Sequence, residues 1–428
     1  MAHRLLVIQV AGLGHGFLVK QRGGEELAGL CFRPMQTVFP ALTCPVQASF
    51  RTAAAPSQHG VVSNGWYSRQ LRRPMFWEQS SALVEGPRIW EGLGERVGLL
   101  FWQQSLGEDL GVLLSPAPIH KHHGGMVDAV YSRPAGLYDE LCRRVGRRFK
   151  LRSYWGPLAS GASSRWIADA TGELMAMPDA APDLLLTYLP HLDYALLRHG
   201  PSSAAAATAF DELTEIVAAL RRRAEEAGYE VVVFGDYAFA DVSRPLYPNR
   251  VLREAGLFQT REVRGMLYPD FHASRAFAVV DHEVAFVYVQ DAGDLREAAG
   301  VLGEAEGVEE VLMGEAVAER GIAHPRCSEI ALVAEPGAWF AYPWWTERRE
   351  QPDYATHVDI HNKPGFDPCE LFLHWLPFDA AADAARIGGS HGRVGKGREV
   401  AWAATCDLGE PSDLIELADA VRGYISDS

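Results

Sequence analysis

Two textures alternate along this chain. Short apolar runs of strand length, such as 5–10, 184–188 and 230–234, are separated by stretches in which apolar residues recur at helical spacing. The clearest unit is central. The run 184–188 leads into an amphipathic stretch over 206–227, then Gly228 as a helix C-cap, then the run 230–234. Strand, helix and strand in that order predict a βαβ crossover in a parallel sheet covered on both faces. In such sheets the loops leaving the carboxyl ends of the strands form the site. Here those loops carry Asp193 and Asp236.

From about 256 to 340 the texture changes. Runs at 276–281, 283–289, 294–307 and 308–313 read as strand, strand, helix and strand. This predicts an α/β core of residues 1–255 and 341–428, interrupted by a small α+β cap over 256–340. A glycine-rich loop follows at 388–398.

Composition narrows the function classes. The 428 residues are 48% hydrophobic and 22% charged, which are globular rather than disordered values. With 40 basic against 55 acidic residues the formal net charge is −15, and no basic block interrupts it. Duplex nucleic acid is therefore not the expected partner, because phosphate neutralisation supplies most of that affinity. A small anionic substrate stays open, since a metal or a helix N-terminus binds one locally. The six cysteines contain no C-x-x-C, which argues against a disulfide framework or zinc knuckle. No run approaches the roughly 18 apolar residues of a membrane span. Gln9 and His15 break the apolar start, which reads as a buried strand entering a glycine turn rather than a leader. A cytoplasmic protein acting on a small molecule is the expectation.

The segment 39–67 is the most informative. Pro40 and Pro45 bracket Thr43, and a helix-compatible stretch follows. The plain reading of Thr43 is a helix N-cap. The functional reading is a nucleophile whose developing negative charge faces unpaired backbone N–H groups. Phe39-Pro40 ahead of Thr43, then Pro56-Ser57-Gln58-His59-Gly60-Val61, then Asn64, resemble the nucleophile region of the type I phosphodiesterase / nucleotide pyrophosphatase family, within the alkaline phosphatase superfamily. The resemblance implies an α/β/α sandwich around a mostly parallel sheet. It also implies hydrolysis of a phosphodiester or pyrophosphate bond, with Thr43 as nucleophile and Asn64 steadying a phosphoryl oxygen. His59-Gly60 would be a structural turn.

The same resemblance implies one or two divalent ions, zinc by the family's habit, but the ligand positions match unevenly. The Asp expected after the first strand is absent from Gln9-Val10-Ala11-Gly12. Asp193 is kept in the second motif, where the histidine position is Leu197. Asp236 is kept in the third, where the histidine is Tyr237, and Gly389-Ser390-His391-Gly392 is intact. Each zinc needs about three protein donors, so the surviving ligands fall short. Alternation in 356–361 puts His357, Asp359 and His361 on one face of a strand. Asp193, His391 and His361, with Asp359 nearby, then hold one metal; the plain alternative pairs His361 with Asp359 or with backbone.

Other signals are weaker. His120, His122 and His123 sit in a Pro/Gly-bounded loop that reads as solvated, and Arg275, Asp281 and His282 border the insertion, where they either meet the phosphate or take a surface or hydrogen-bonded core role. The Gly-rich 388–397 lacks the P-loop order, and no G-x-S-x-G elbow occurs. Trp66, Tyr67, Phe76, Trp77, Trp102, Trp155, Trp166, Trp344 and Trp345 suit either a core or a pocket for a planar aromatic substrate. The replacements at Ala11, Leu197 and Tyr237 motivate a second function class: the fold repurposed as an enzyme or binding protein in a biosynthetic pathway, without two-metal phosphoryl transfer.

Overall fold

β1 (Arg4–Val10) is buried from Leu5 onward, as a strand covered on both faces must be. The computed structural model describes residues 4–123, 125–358, 364–365, 371–373 and 380–426. Six more strands of the same sheet follow before the cap region: β2 (Arg33–Met35), β3 (Val97–Leu100), β4 (Val112–Pro116), β5 (Val130–Arg133), β6 (Leu184–Leu189) and β7 (Tyr229–Gly235). A smaller sheet holds β8 (Ala276–Asp281), β9 (Val284–Val289), β10 (Val308–Met313) and β11 (Ile330–Ala334), and β12 (Val400–Ala404) rejoins the larger one.

The larger sheet, eight strands among the described residues, runs β5-β4-β3-β6-β1-β7-β12-β2. Its centre, from β4 to β7, is parallel; β5, β12 and β2 add antiparallel pairs at the edges. The chain is thus α/β with a mostly parallel central sheet. The βαβ crossover forms with one difference from the sequence reading. β6 and β7 are not neighbours, because β1 lies between them, with Val7 opposite both Leu186 and Val232. Periodicity fixes that two runs are parallel strands but not which strand slips between them.

Helices cover the sheet. α1 (Thr43–Thr52) sets Phe50 on Phe234 of β7 with ring centroids 4.7 Å apart. α2 (Ala162–Met175) packs on β6; α3 (His191–His199) packs against α4 (Ala204–Glu226), which lies on β7. α4 starts where Ser203 Oγ accepts from Ala206 N, a side-chain N-cap. α5 (Leu295–Gly303) packs on β10, and α6 (Leu414–Ser426) packs against α1. No described helix is long and apolar enough to cross a membrane.

Two main apolar cores result. One surrounds the larger sheet. The other joins the smaller sheet to Phe39, Leu42, Val61, Tyr67, Phe76 and Trp344, all outside 256–340. The smaller sheet buries its inner face against the segment that carries Thr43, and that shared core brings the β8–β9 turn to the edge of the site. The strand expected from Thr356 differs: Asp353–Thr356 is a 3₁₀ turn, and His357 is exposed with Nδ1 3.0 Å from Asp353 O.

Candidate active site

Thr43 opens α1 after the extended residue Leu42 and is 5% exposed. Its hydroxyl lies 3.3 Å from the Tyr237 hydroxyl. That phenol donates to Asp193 Oδ1 at 2.9 Å, so Thr43 is left to donate to the phenol oxygen. Three oxygens therefore form a chain, Thr43 to Tyr237 to Asp193, along which a proton can travel outward from the threonine. Asp193 stands in the first turn of α3, where the helix dipole favours its charge. Burial, with Asp193 and Asp236 beside it, pushes the Tyr237 phenol well above its ordinary range, so it rests protonated rather than as phenolate.

His391 lies flat on Tyr237, with centroids 3.6 Å apart and planes 4° from parallel. Its Nδ1 donates to Ala41 O at 2.8 Å, which leaves Nε2 with the lone pair, 4.0 Å from Asp193 Oδ1. Burial, then the neighbouring His282, holds the ring well below the usual histidine range and therefore neutral. The pocket in front of this group measures about 100 Å³ and is walled by Trp77, Tyr154, Trp155, Tyr188 and Tyr194. Arg198 is the cation among its lining residues, its guanidinium held by Gly156 O and Pro157 O at 3.0 and 2.8 Å.

Two expected site residues are hydrogen-bonded within the protein. Asp236 is fully buried and receives Gly12 N at 2.8 Å, Tyr237 N at 2.9 Å and Gln9 Nε2 at 3.1 Å. It caps the turn after β1, and burial pushes its carboxyl well above the usual range. Asn64 spends both ends of its amide inside the protein. Its Oδ1 accepts Cys44 N at 3.0 Å and its Nδ2 donates to Asp281 Oδ1 at 3.0 Å. It pins the start of α1 to the end of β8, with one of its two Nδ2 hydrogens engaged by Asp281. His59 is structural: its Nε2 meets Ser49 Oγ at 2.9 Å, its Nδ1 accepts Val61 N at 3.1 Å, and Gly60 turns the chain with φ +75°.

The donor set does not fit a two-metal centre. Asp236 faces three N–H donors, a phenol occupies the position of one expected histidine and Leu197 that of another. Among the described residues no three His, Cys, Asp or Glu are grouped to hold one ion. His361 and Asp359 lie outside the described residues. His120, His122 and His123 are exposed and apart from the pocket.

The profile of the type I phosphodiesterase / nucleotide pyrophosphatase family matches residues 26–367. The chain belongs to that family. Members are hydrolases of the alkaline phosphatase superfamily, and solved structures with this fold include two such enzymes. Phosphonoacetate hydrolase from Sinorhizobium meliloti 1021, in complex with phosphonoformate, is 15% identical at a TM-score of 0.61, covering 99% of this chain and 95% of that one. Murine ectonucleotide pyrophosphatase / phosphodiesterase 5 is 14% identical at 0.60, with the same coverage. Curated sequences give no match. At these identities the likeness is one of fold. Within the phosphodiesterase family's site, sequence reasoning noted Tyr237 only as a lost ligand and missed Arg198, although Arg198 sits inside the 193–201 motif.

Buried neutral histidines are expected to make the fold acid-sensitive. Burial lowers His59 to about 3, and His191 and His282 to about 4, and moves His391 the same way. Each is neutral when folded and protonates near 6.5 when unfolded, so stability present above pH 6.5 is lost as pH falls towards the folded values. The slope is about 1.4 kcal/mol per pH unit for each histidine. Asp236 and Glu283, raised by burial, run the opposite way. The urea midpoint is expected to fall steadily from pH 7 to pH 5; a flat profile would contradict the neutral burial of these rings.

Proposed function

We propose that this chain hydrolyses a phosphodiester or pyrophosphate bond of a small molecule, with Thr43 as nucleophile and the Tyr237–Asp193 pair as its proton relay. One observation carries the reading: the Thr43 hydroxyl is 3.3 Å from a phenol that donates to Asp193 at 2.9 Å. Attack by Thr43 Oγ1 on phosphorus passes its proton to Tyr237, which gives its own to Asp193. The ester P–O bond breaks, the leaving oxygen is protonated from solvent, and water then cleaves the phosphothreonine. The helix N-terminus under Thr43 and the Arg198 guanidinium supply positive potential for the anionic substrate. The aromatic walls suit an apolar or aromatic ester group.

In the described residues this relay stands where the family's resemblance implies zinc. Treatment with EDTA is therefore expected to leave hydrolysis of bis(4-nitrophenyl) phosphate within about twofold, while Tyr237→Phe lowers kcat by about tenfold to a hundredfold. A loss above tenfold on chelation, restored by zinc, would put a metal back in the mechanism and sink the relay. A second reading, a repurposed binding pocket or biosynthetic enzyme without phosphoryl transfer, is favoured by the Tyr237 ring covering the face of His391. It predicts ligand binding with no release of 4-nitrophenol under any metal condition.

A further inference from the structure

The turn between β8 and β9 brings into the pocket an imidazole that neither the relay nor the fold consumes. His282 lies in the two-residue turn that closes the pair Asp281 and Val284. Its φ is +60°, a region that glycine and asparagine enter readily and other residues at a cost. Such strain persists where the surroundings over-determine it, and it gathers at functional sites. The surroundings here do so. His282 O accepts Phe340 N at 2.7 Å, and Glu283 N donates to His391 O at 2.8 Å. The buried Glu283 carboxylate in turn receives Arg398 at 2.6 Å.

The ring itself is under-used. It lies 4.0 Å from His391, extending the Tyr237–His391 stack, and it lines the same pocket as Thr43 and Asp193. Its side chain is 9% exposed, and Nδ1 is buried without a hydrogen-bond partner. Nε2 stands 4.0 Å from Asp281 Oδ1, beyond hydrogen-bond distance, and that carboxylate already holds the Asn64 amide and backbone N–H. Burial keeps the imidazole neutral. A neutral imidazole offers one N–H donor and one lone pair. It complements a group that both donates and accepts, while the adjacent Asp281 carboxylate opposes a further negative charge in this corner.

We propose that His282 is a ligand-contacting residue that hydrogen-bonds a hydroxyl group carried on the alcohol part of the phosphate ester bound at Thr43. The choice of ester rests on the function proposed above. The smaller sheet thereby reads the substrate, while the larger sheet carries the relay. Sequence alone offers His282 as a border residue placed either to meet the phosphate or to serve the surface or core, without a hydroxyl contact.

Calorimetric titration of phenyl 3-hydroxypropyl phosphate against phenyl propyl phosphate tests the contact. It is made in the Thr43→Ala background so that turnover does not interfere. With His282 present, the hydroxyl probe is expected to bind at least about tenfold tighter than the propyl probe, because a site built to bond a hydroxyl rejects the analogue lacking it. His282→Gly should cut that preference below about twofold and leave the propyl probe within about threefold. His282→Asn, which also accepts positive φ and keeps a polar end, should hold part of it. Because glycine relieves the strained turn, the urea midpoint of His282→Gly should equal or exceed that of the parent, which separates lost contact from lost fold. A preference absent in the parent, or unchanged in His282→Gly, overturns the contact, as does failure of the hydroxyl probe to bind. Binding with the expected preference but no hydrolysis by the unmutated chain fails the hydrolase reading alone; hydrolysis without hydroxyl preference fails the His282 contact alone.

Discussion

Thr43→Ala is expected to lower kcat/KM for bis(4-nitrophenyl) phosphate by at least about a hundredfold, with Thr43→Ser within about tenfold of the parent. The alanine removes the proposed nucleophile and leaves Tyr237 and Asp193 with no threonine proton to accept. The serine keeps the hydroxyl on a slightly freer side chain. The fold should survive, because the lost hydrogen bond is a single one at 3.3 Å, worth no more than about 1 kcal/mol. Thermal melts of the three proteins should therefore nearly coincide while their rates separate. Rapid quenching of the parent should trap a phosphoryl adduct on the peptide that contains Thr43. Full activity in Thr43→Ala would remove Thr43 as nucleophile from the mechanism.

Arg51→Ala is expected to be among the most destabilising single substitutions, lowering unfolding free energy by about 3–5 kcal/mol. Arg51 sits two turns along α1 from Thr43 and is fully buried. Its Nη1 donates to Gln104 O at 2.9 Å and meets Glu108 at 3.4 Å, and its Nε donates to Gln47 O at 3.3 Å. Burial lowers its pKa to about 10, so it stays charged at neutral pH. Removing it leaves Glu108 buried with Arg88 as remaining partner at 2.7 Å, leaves the Gln104 carbonyl without its donor, and opens a cavity under α1. Glu108→Gln should cost less, and the double variant less than the sum, with a coupling of about 1–3 kcal/mol. Urea unfolding followed by tryptophan fluorescence measures all three. A loss below about 1 kcal/mol for Arg51→Ala would show that the guanidinium is replaceable by solvent or repacking.

Parts of the fold were legible because they are local. The runs 5–10, 184–188 and 230–234 become β1, β6 and β7, and the helical spacing of 206–227 becomes α4, since strand and helix periods are written in adjacent residues. The strand-strand-helix-strand texture after 276 appears as β8, β9, α5 and β10 for the same reason. The start of α1 at Thr43 was readable from the flanking prolines. Short edge strands such as β2 and β5, at three and four residues, carry too few positions to show a period.

The site was legible only as a set of residue types. Sequence alone placed Thr43, Asp193, Tyr237 and His391 in motifs and noted which metal ligands were replaced, because motif spacing is itself a local property. Tertiary structure decided what those replacements do. It laid the Tyr237 ring on His391 and its hydroxyl between Thr43 and Asp193, turned Asp236 inward to cap Gly12, and spent Asn64 on Cys44 and Asp281. His391 reaches Ala41 across 350 residues, and Asn64 reaches Asp281 across 217. Distances of that kind are set by how the smaller sheet packs on the segment that carries Thr43 and by which buried donor finds which acceptor. No periodicity or spacing along the chain encodes them.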